Sequence, residues 1–250
     1  MQSPIASLAP LDASTISPPH TGQAHSPQDS MFLQAYSGQA IENAMSARYC
    51  IFKRVIDLAA SSFLLLALLP VGLVLAFLVW ATSPGSVFYR EERIGRFGVP
   101  FRIFKFRSMY LHEADPVSEL HTLGHDHVLR MRTFLKHVGH PRVTPIGRYL
   151  RKWSLDELPQ LLNVFLGQMS LVGPRPIVEA ERAVYGPQIR FYTLLLPGMT
   201  GLWQVSGRSD VSFVRRVYLD SLYCVRWSLL KDFAIIAKTI PAVLKKTGAY

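Results

Sequence analysis

Asp156 and Glu157 stand side by side in the segment Gly147 to Pro176, GRYLRKWSLDELPQLLNVFLGQMSLVGPRP. Two adjacent carboxylates can divide labour in phosphoryl chemistry. One attacks phosphorus as a nucleophile, and the other holds a divalent cation that neutralises developing charge. Arg148, Arg151 and Lys152 lie just upstream, where cations can bind substrate phosphates. The same residues also read as a helix start: Ser154 and Glu157 have the S-x-x-E spacing of a capping box, and both acids complement a helix N-terminus. Pro159 weakens that second reading, because a proline one turn in removes a helical hydrogen bond and makes the start irregular.

Other cations could complete such a site. In FRIFKFR, residues 101–107, strand alternation sends Lys105 and Arg107 to one face, as a phosphate clamp or as charge protecting a sheet edge. Gly173-Pro174-Arg175-Pro176 fixes an arginine between two prolines on a stiff loop, suited to a phosphate or a nucleotide and equally to a plain turn. Gly207-Arg208-Ser209-Asp210 adds another anion contact, and Trp203 fits either a core or an interfacial anchor. Six of the eight histidines fall between 111 and 140, but they match no metal-ligand spacing and read as a polar loop with a short helix. Cys50 and Cys224 show neither ligand spacing nor a disulfide framework, which fits a reducing compartment.

The elements that must position these residues begin with an apolar run of 24 residues, Leu58 to Ala81. As a straight helix it measures about 36 Å, against a hydrocarbon core of about 30 Å. Pro70 breaks it at the middle, and cations flank both ends: Arg48, Lys53 and Arg54 before, Arg90, Arg93, Arg96, Arg102, Lys105 and Arg107 after. A straight span would carry one cationic flank across the bilayer, so a re-entrant helix-break-helix is expected over residues 48–84. Asp57, at its edge, is expected to pair with a basic neighbour. Next, 86–93 and 101–107 read as a β-hairpin punctuated by Gly95, Gly98 and Pro100. The stretches 212–227 and 229–246 read as amphipathic helices, either lying in a membrane interface or packing a core. The fold class is therefore α+β, mainly helical.

The chain of 250 residues carries a formal charge of +10. Residues 1–47 hold three acids and no Lys or Arg, which leaves +13 on the rest. That balance excludes polycationic partners and favours acidic lipid headgroups and phosphorylated small molecules. Nucleic acid fits poorly, because the cations lie among apolar and membrane-flanking segments, not on an aromatic and basic platform. The first 47 residues, rich in Ser, Pro, Gln and Ala, read as a disordered tail without the charged-then-apolar pattern of a signal peptide, and residues 85–250 as one catalytic unit.

Taken together, KRVIDLAASS, KFRSM, RYLRKWSLDELPQLLNVFLGQMSLVGPRP, PGMTGLWQVSGRSD and the terminal GAY resemble the bacterial sugar transferases, the monotopic phosphoglycosyl transferases. The short form looks most like enzymes that initiate exopolysaccharide repeat units of the succinoglycan type. The resemblance implies transfer of a sugar 1-phosphate, galactose or glucose, from a UDP-sugar to undecaprenyl phosphate, with UMP released. It implies Asp156 as nucleophile forming a phosphosugar-aspartyl intermediate, Glu157 as the Mg²⁺ ligand, and Lys105, Arg107 and Arg151 on phosphate. Arg175 would hold the nucleotide, and Pro70 would shape the re-entrant helix. The implied place is the bacterial inner (cytoplasmic) membrane, in contact with its lipids, with the catalytic domain on the cytoplasmic face. A homo-oligomer is left open. His140 in His140-Pro141-Arg142 and Leu196 before Pro197-Gly198 depart from the family's usual acidic and basic residues, which bears on loop geometry and substrate preference.

Overall fold

The computed structural model describes residues 48–110, 142–207 and 211–244, with isolated positions between 38 and 46. Most of the expected tail, the histidine-rich stretch, Arg208–Asp210 and the terminal Gly248-Ala249-Tyr250 lie outside these residues. A π-helical turn, Arg48–Lys53, leads into α1 (Arg54–Ala67) and α2 (Leu69–Thr82). Leu68 leaves helical geometry between them, at φ −95° and ψ 1°, and Pro70 sits in the first turn of α2, where its missing N–H costs nothing. The two axes bend by 62°. Among the described residues no single helix is long and apolar enough to cross a membrane, and the bent pair passes that test only together.

Residues 88–106 form the expected hairpin. β1 (Phe88–Ile94) and β2 (Pro100–Phe106) pair antiparallel with Tyr89 opposite Lys105. Then follow α3 (Pro145–Lys152), a 3₁₀ turn (Leu155–Glu157), α4 (Gln160–Phe165) and β3 (Ser170–Val172). α5 (Glu179–Tyr185) and α6 (Ile189–Tyr192) precede β4 (Gly198–Thr200), which pairs parallel with β3. The chain closes with α7 (Leu202–Val205), α8 (Phe213–Val225) and α9 (Leu229–Leu244). The architecture is a helix-rich α+β fold with two small sheets.

Two arginines tie the apolar pair to the rest. Arg54 donates to the carbonyls of Val164 (2.6 Å) and Phe165 (2.7 Å), satisfying orphan acceptors at the end of α4. Arg107 does the same at the end of α2, donating to the carbonyls of Ser83 and Pro84, each at 2.6 Å, and to Ser83 Oγ. Leu75 and Val79 of α2 join a core with Phe106, Leu150, Leu155 and Leu158, so α2 packs directly on the residues that flank the acid pair. The outward side chains of the pair, including Phe63, Leu66, Leu73, Phe77 and Trp80, are exposed.

Two expectations are resolved here. Asp57 feels the charge of Lys53 but is bonded elsewhere: its Oδ1 accepts the N–H of Leu171 at 3.0 Å, pinning α1 to β3. Lys53 instead reaches Asp232, at 2.6 Å, in a buried node that also takes the hydroxyl of Tyr223 and the indole N–H of Trp227. Of the two readings open for 212–227, core packing describes most of α8, where Val217, Leu219, Asp220, Ser221, Tyr223, Cys224 and Val225 are all buried. α9 keeps a mixed character, with Ile235 buried and Leu230, Phe233 and Ile240 exposed.

Candidate active site

The acid pair sits on the 3₁₀ turn between α3 and α4. Thr144 caps α3 by accepting the N–H of Gly147, with Pro145 at the first helical position. α3 ends at Trp153, and Ser154 turns the chain with φ 55°, a left-handed geometry that costs a non-glycine residue about 1 kcal/mol. No capping box forms, because the Ser154 side chain makes no cap bond. Pro159 then makes the irregular junction at which α4 begins.

Glu157 is held by Lys105 across the gap to β2, with Lys105 Nζ donating to Glu157 Oε1 at 2.7 Å. The register that brings them together is set by Asn163 on α4, which is fully buried. Its Oδ1 accepts the N–H of Phe104 at 2.9 Å and its Nδ2 donates to the carbonyl of Arg102 at 2.8 Å, so one amide clamps the β2 backbone on both sides of Ile103. Sequence reasoning missed Asn163, and only its polarity within an apolar helix, LLNVF, was available as a signal.

Electrostatics divide the two acids. Burial pushes the Asp156 carboxyl up to about 6, and the neighbouring Glu157 charge adds to this, against the pull of Lys105 and Arg151. Burial acts on Glu157 too, but Lys105, with help from Arg175 and Arg93, outweighs it and holds that carboxyl below its ordinary range. One acid is thus a fixed anion, and the other is a carboxylate made basic by its surroundings and ionised above about pH 6.

Arg175 is presented on the loop after β3. The N–H of Gly173 donates to Thr200 O at 2.9 Å and the N–H of Gly198 to Pro174 O at 2.8 Å. These backbones approach so closely that a Cβ on Gly198 would stand 2.0 Å from Gly173 N, and one on Gly173 2.4 Å from Leu196 O. Arg175, Lys105, Glu157, Arg93 and Gln204 line one cleft. Arg93 was not anticipated as a site residue. It is buried, donates to Pro176 O at 3.0 Å and pairs with Glu91, so it braces the arginine loop while adding positive potential.

The sequence-selected residues therefore separate. Lys105 acts on both Asp156 and Glu157, Arg151 acts on Asp156 and Arg175 on Glu157, and Lys105, Glu157 and Arg175 share the cleft. Arg107 does not join them, because its guanidinium is bound to the carbonyls that follow α2. Pro70 lies away from the cleft, at the break of the apolar pair. Among the described residues no group of three His, Cys, Asp or Glu side chains could hold a metal alone. Two adjacent carboxylates still fit a hard divalent cation that keeps water and draws its other ligands from substrate phosphates.

The sequence itself settles the kinship, since residues 48–246 match the family described as bacterial sugar transferase. The chain belongs to that family. It is 46% identical over 198 residues to the exopolysaccharide production protein ExoY of Rhizobium meliloti, an alignment covering 79% of this chain and 88% of that protein. It is 44% identical over 213 residues to the undecaprenyl-phosphate galactose phosphotransferase of Salmonella typhimurium, covering 84% and 44%. With the UDP-galactose-lipid carrier transferase of Erwinia amylovora it shares 48% identity over 200 residues, covering 79% and 41%. The chain thus spans under half the length of two of these relatives and nearly all of the third.

Proposed function

We propose that this bacterial sugar transferase moves a hexose 1-phosphate from a UDP-sugar to undecaprenyl phosphate and releases UMP, the first step in building an exopolysaccharide repeat unit. The observation that carries the reading is the division of the acid pair. Asp156 is a desolvated, basic carboxylate beside a Glu157 held as an anion by Lys105, as a carboxylate nucleophile next to a cation-holding carboxylate requires. The relatives' names supply the chemical class, a phosphotransferase acting between a UDP-sugar and undecaprenyl phosphate.

In this reading an Asp156 oxygen attacks the sugar-bearing phosphorus in line with the bridging oxygen. The P–O bond to the nucleotide breaks, its electron pair leaves on UMP, and a phosphosugar-aspartyl mixed anhydride remains. The undecaprenyl phosphate oxygen then attacks that phosphorus and returns the carboxylate. Lys105 and Arg151 hold phosphate oxygens, and Arg175 holds the nucleotide side. Glu157, with the free oxygen that Lys105 leaves it, is the ligand for Mg²⁺, which supplies charge neutralisation at phosphate when bound. The bent pair α1–α2 enters the cytoplasmic leaflet of the inner membrane and returns, and the core shared by α2, Leu155 and Leu158 sets the acid pair against the surface where the lipid phosphate arrives.

The test is nucleotide release by purified, detergent-solubilised protein given Mg²⁺, undecaprenyl phosphate and a panel of UDP-sugars, beside Asp156→Asn. UMP from one sugar, absent in the variant, is the expected result. UDP in place of UMP would mean transfer of the sugar alone, and turnover surviving in Asp156→Asn would remove the aspartyl intermediate.

A further inference from the structure

Trp203, on α7, carries two guanidiniums. Arg216 lies over its ring at 4.3 Å and Arg175 at 5.6 Å, and Arg216 also stacks on Phe213 at 5.1 Å. Stacking uses the faces of a guanidinium and leaves its donor edge free. Part of those edges is unused here: the Nε atoms of Arg175 and Arg216 and the indole N–H of Trp203 are all buried without a hydrogen-bond partner. Two carboxylates act on Arg216 electrostatically without a hydrogen bond to it: Asp220, whose Oδ2 accepts from the Tyr185 hydroxyl at 2.9 Å, and Glu181, whose Oε2 accepts from the N–H of Val178 at 3.3 Å. Two desolvated cations side by side, with unsatisfied donors, are a costly arrangement unless an anion joins them. Burial first, and then the neighbouring Arg175 charge, push the Arg216 guanidinium pKa down, and the Glu181 and Asp220 carboxylates only partly offset this.

Arg175 is the link to the chemistry. It lines the cleft with Lys105 and Glu157, and it stands between that cleft and Arg216 on the shared indole. The positive groups therefore run from Lys105, beside the acid pair, through Arg175 to Arg216. The geometry points to Arg216 as a second substrate-binding arginine, which with Arg175 clamps the nucleotide-side phosphate of the donor, the phosphate that departs as UMP. This inference rests on the proposed phosphosugar transfer and extends it. A reacting phosphate at Lys105 and its neighbour at the arginine pair put one cation group on each phosphate of the diphosphate. As the bridging bond breaks, the departing phosphate gains a negative charge that the pair neutralises. Arg216 also completes a structural role, filling space between Trp203 and Phe213, so its charge and its packing need separate readouts.

Equilibrium binding of UMP and of uridine to the full-length protein in detergent separates them. Arg216→Gln is expected to weaken UMP binding about 10-fold or more, the loss of a charge-assisted hydrogen bond, and to leave uridine binding unchanged. Arg216→Lys keeps the charge without the planar fork, and is expected to lose less UMP affinity than Arg216→Gln, again with uridine unaffected. Equal weakening of UMP and uridine would make Arg216 a packing residue, and unchanged UMP binding would also overturn the clamp. Should Arg216→Gln lose its thermal transition, Arg216→Lys decides alone, and unaltered UMP affinity in it refutes the proposal. If the unsubstituted protein binds neither UMP nor a UDP-sugar, the transferase reading itself fails and the clamp falls with it.

Discussion

Asp156 and Glu157 are chemically alike and one residue apart, yet their surroundings pull them in opposite directions, and the consequences can be read against pH. With the Asp156 carboxyl near 6, sugar-phosphate transfer should rise through a single ionisation around that pH and level off above it. Lys105 lowers both carboxyls, so Lys105→Met should move the acid limb to higher pH, measured as UMP release between pH 5 and 9. The same shift has a stability cost with a definite sign. Asp156 is raised above its unfolded value near 3.8, so the fold prefers the protonated form and is penalised when the side chain ionises. The penalty is absent below about pH 4 and complete above about 6. Asp156→Asn should therefore gain about 1 kcal/mol at pH 7.5, reduced for solvent screening of a half-buried group, and gain nothing at pH 4. Thermal melts of both proteins at the two pH values check this, and a variant less stable than the parent at pH 7.5 would remove the desolvation argument.

The elements matter because they fix where the charges stand. β2 contributes Lys105 only if its register against α4 is held, and Asn163 holds it by bonding the main chain at Phe104 and Arg102. Asn163→Ala leaves the part-buried N–H of Phe104 and carbonyl of Arg102 without that partner, a loss of about 1–3 kcal/mol. The melting temperature should fall by about 5–10 °C. Because Lys105 then loses its fixed approach to Glu157, UMP release measured well below the melt should also fall. Full activity in a folded but less stable variant would show that Lys105 needs no clamp. Nothing comparable was legible in advance. LLNVF reads as an apolar helix with one polar residue, and what that amide bonds is decided by a strand 60 residues away. The parallel pair β3–β4 was equally hidden, since three-residue strands carry no periodicity. Arg107 shows the converse failure: alternation says nothing of the partner a long side chain finds, and its guanidinium reaches the carbonyls of Ser83 and Pro84 after α2.

For the whole molecule, the features that sequence revealed were those encoded locally. Pro70 marked the break in the apolar run, Gly95 to Pro100 marked the hairpin turn, and Ser154 to Pro159 marked an irregular helix start carrying two acids. Arg216 was legible only as one cation on an amphipathic helix, because its contact with Trp203 depends on how α8 packs against α7. How α1 and α2 meet a bilayer follows from charge and length together. Each has 14 residues, about 21 Å, too short to cross alone, and the 62° bend between them shortens their combined reach along any one axis. Both outer ends are anchored to the same body, Arg54 to α4 and Arg107 to the end of α2, so a straight span would have to tear one anchor away. Both ends should therefore face the same side. Exposed Cys50 reports the entry to α1, and Ser86→Cys in a Cys50→Ser background reports the exit from α2. A membrane-impermeant maleimide should label each in inverted inner-membrane vesicles and neither in intact spheroplasts. Labelling of the two positions from opposite sides would establish a crossing, and would require the contacts of Arg54 or Arg107 to be absent in the membrane.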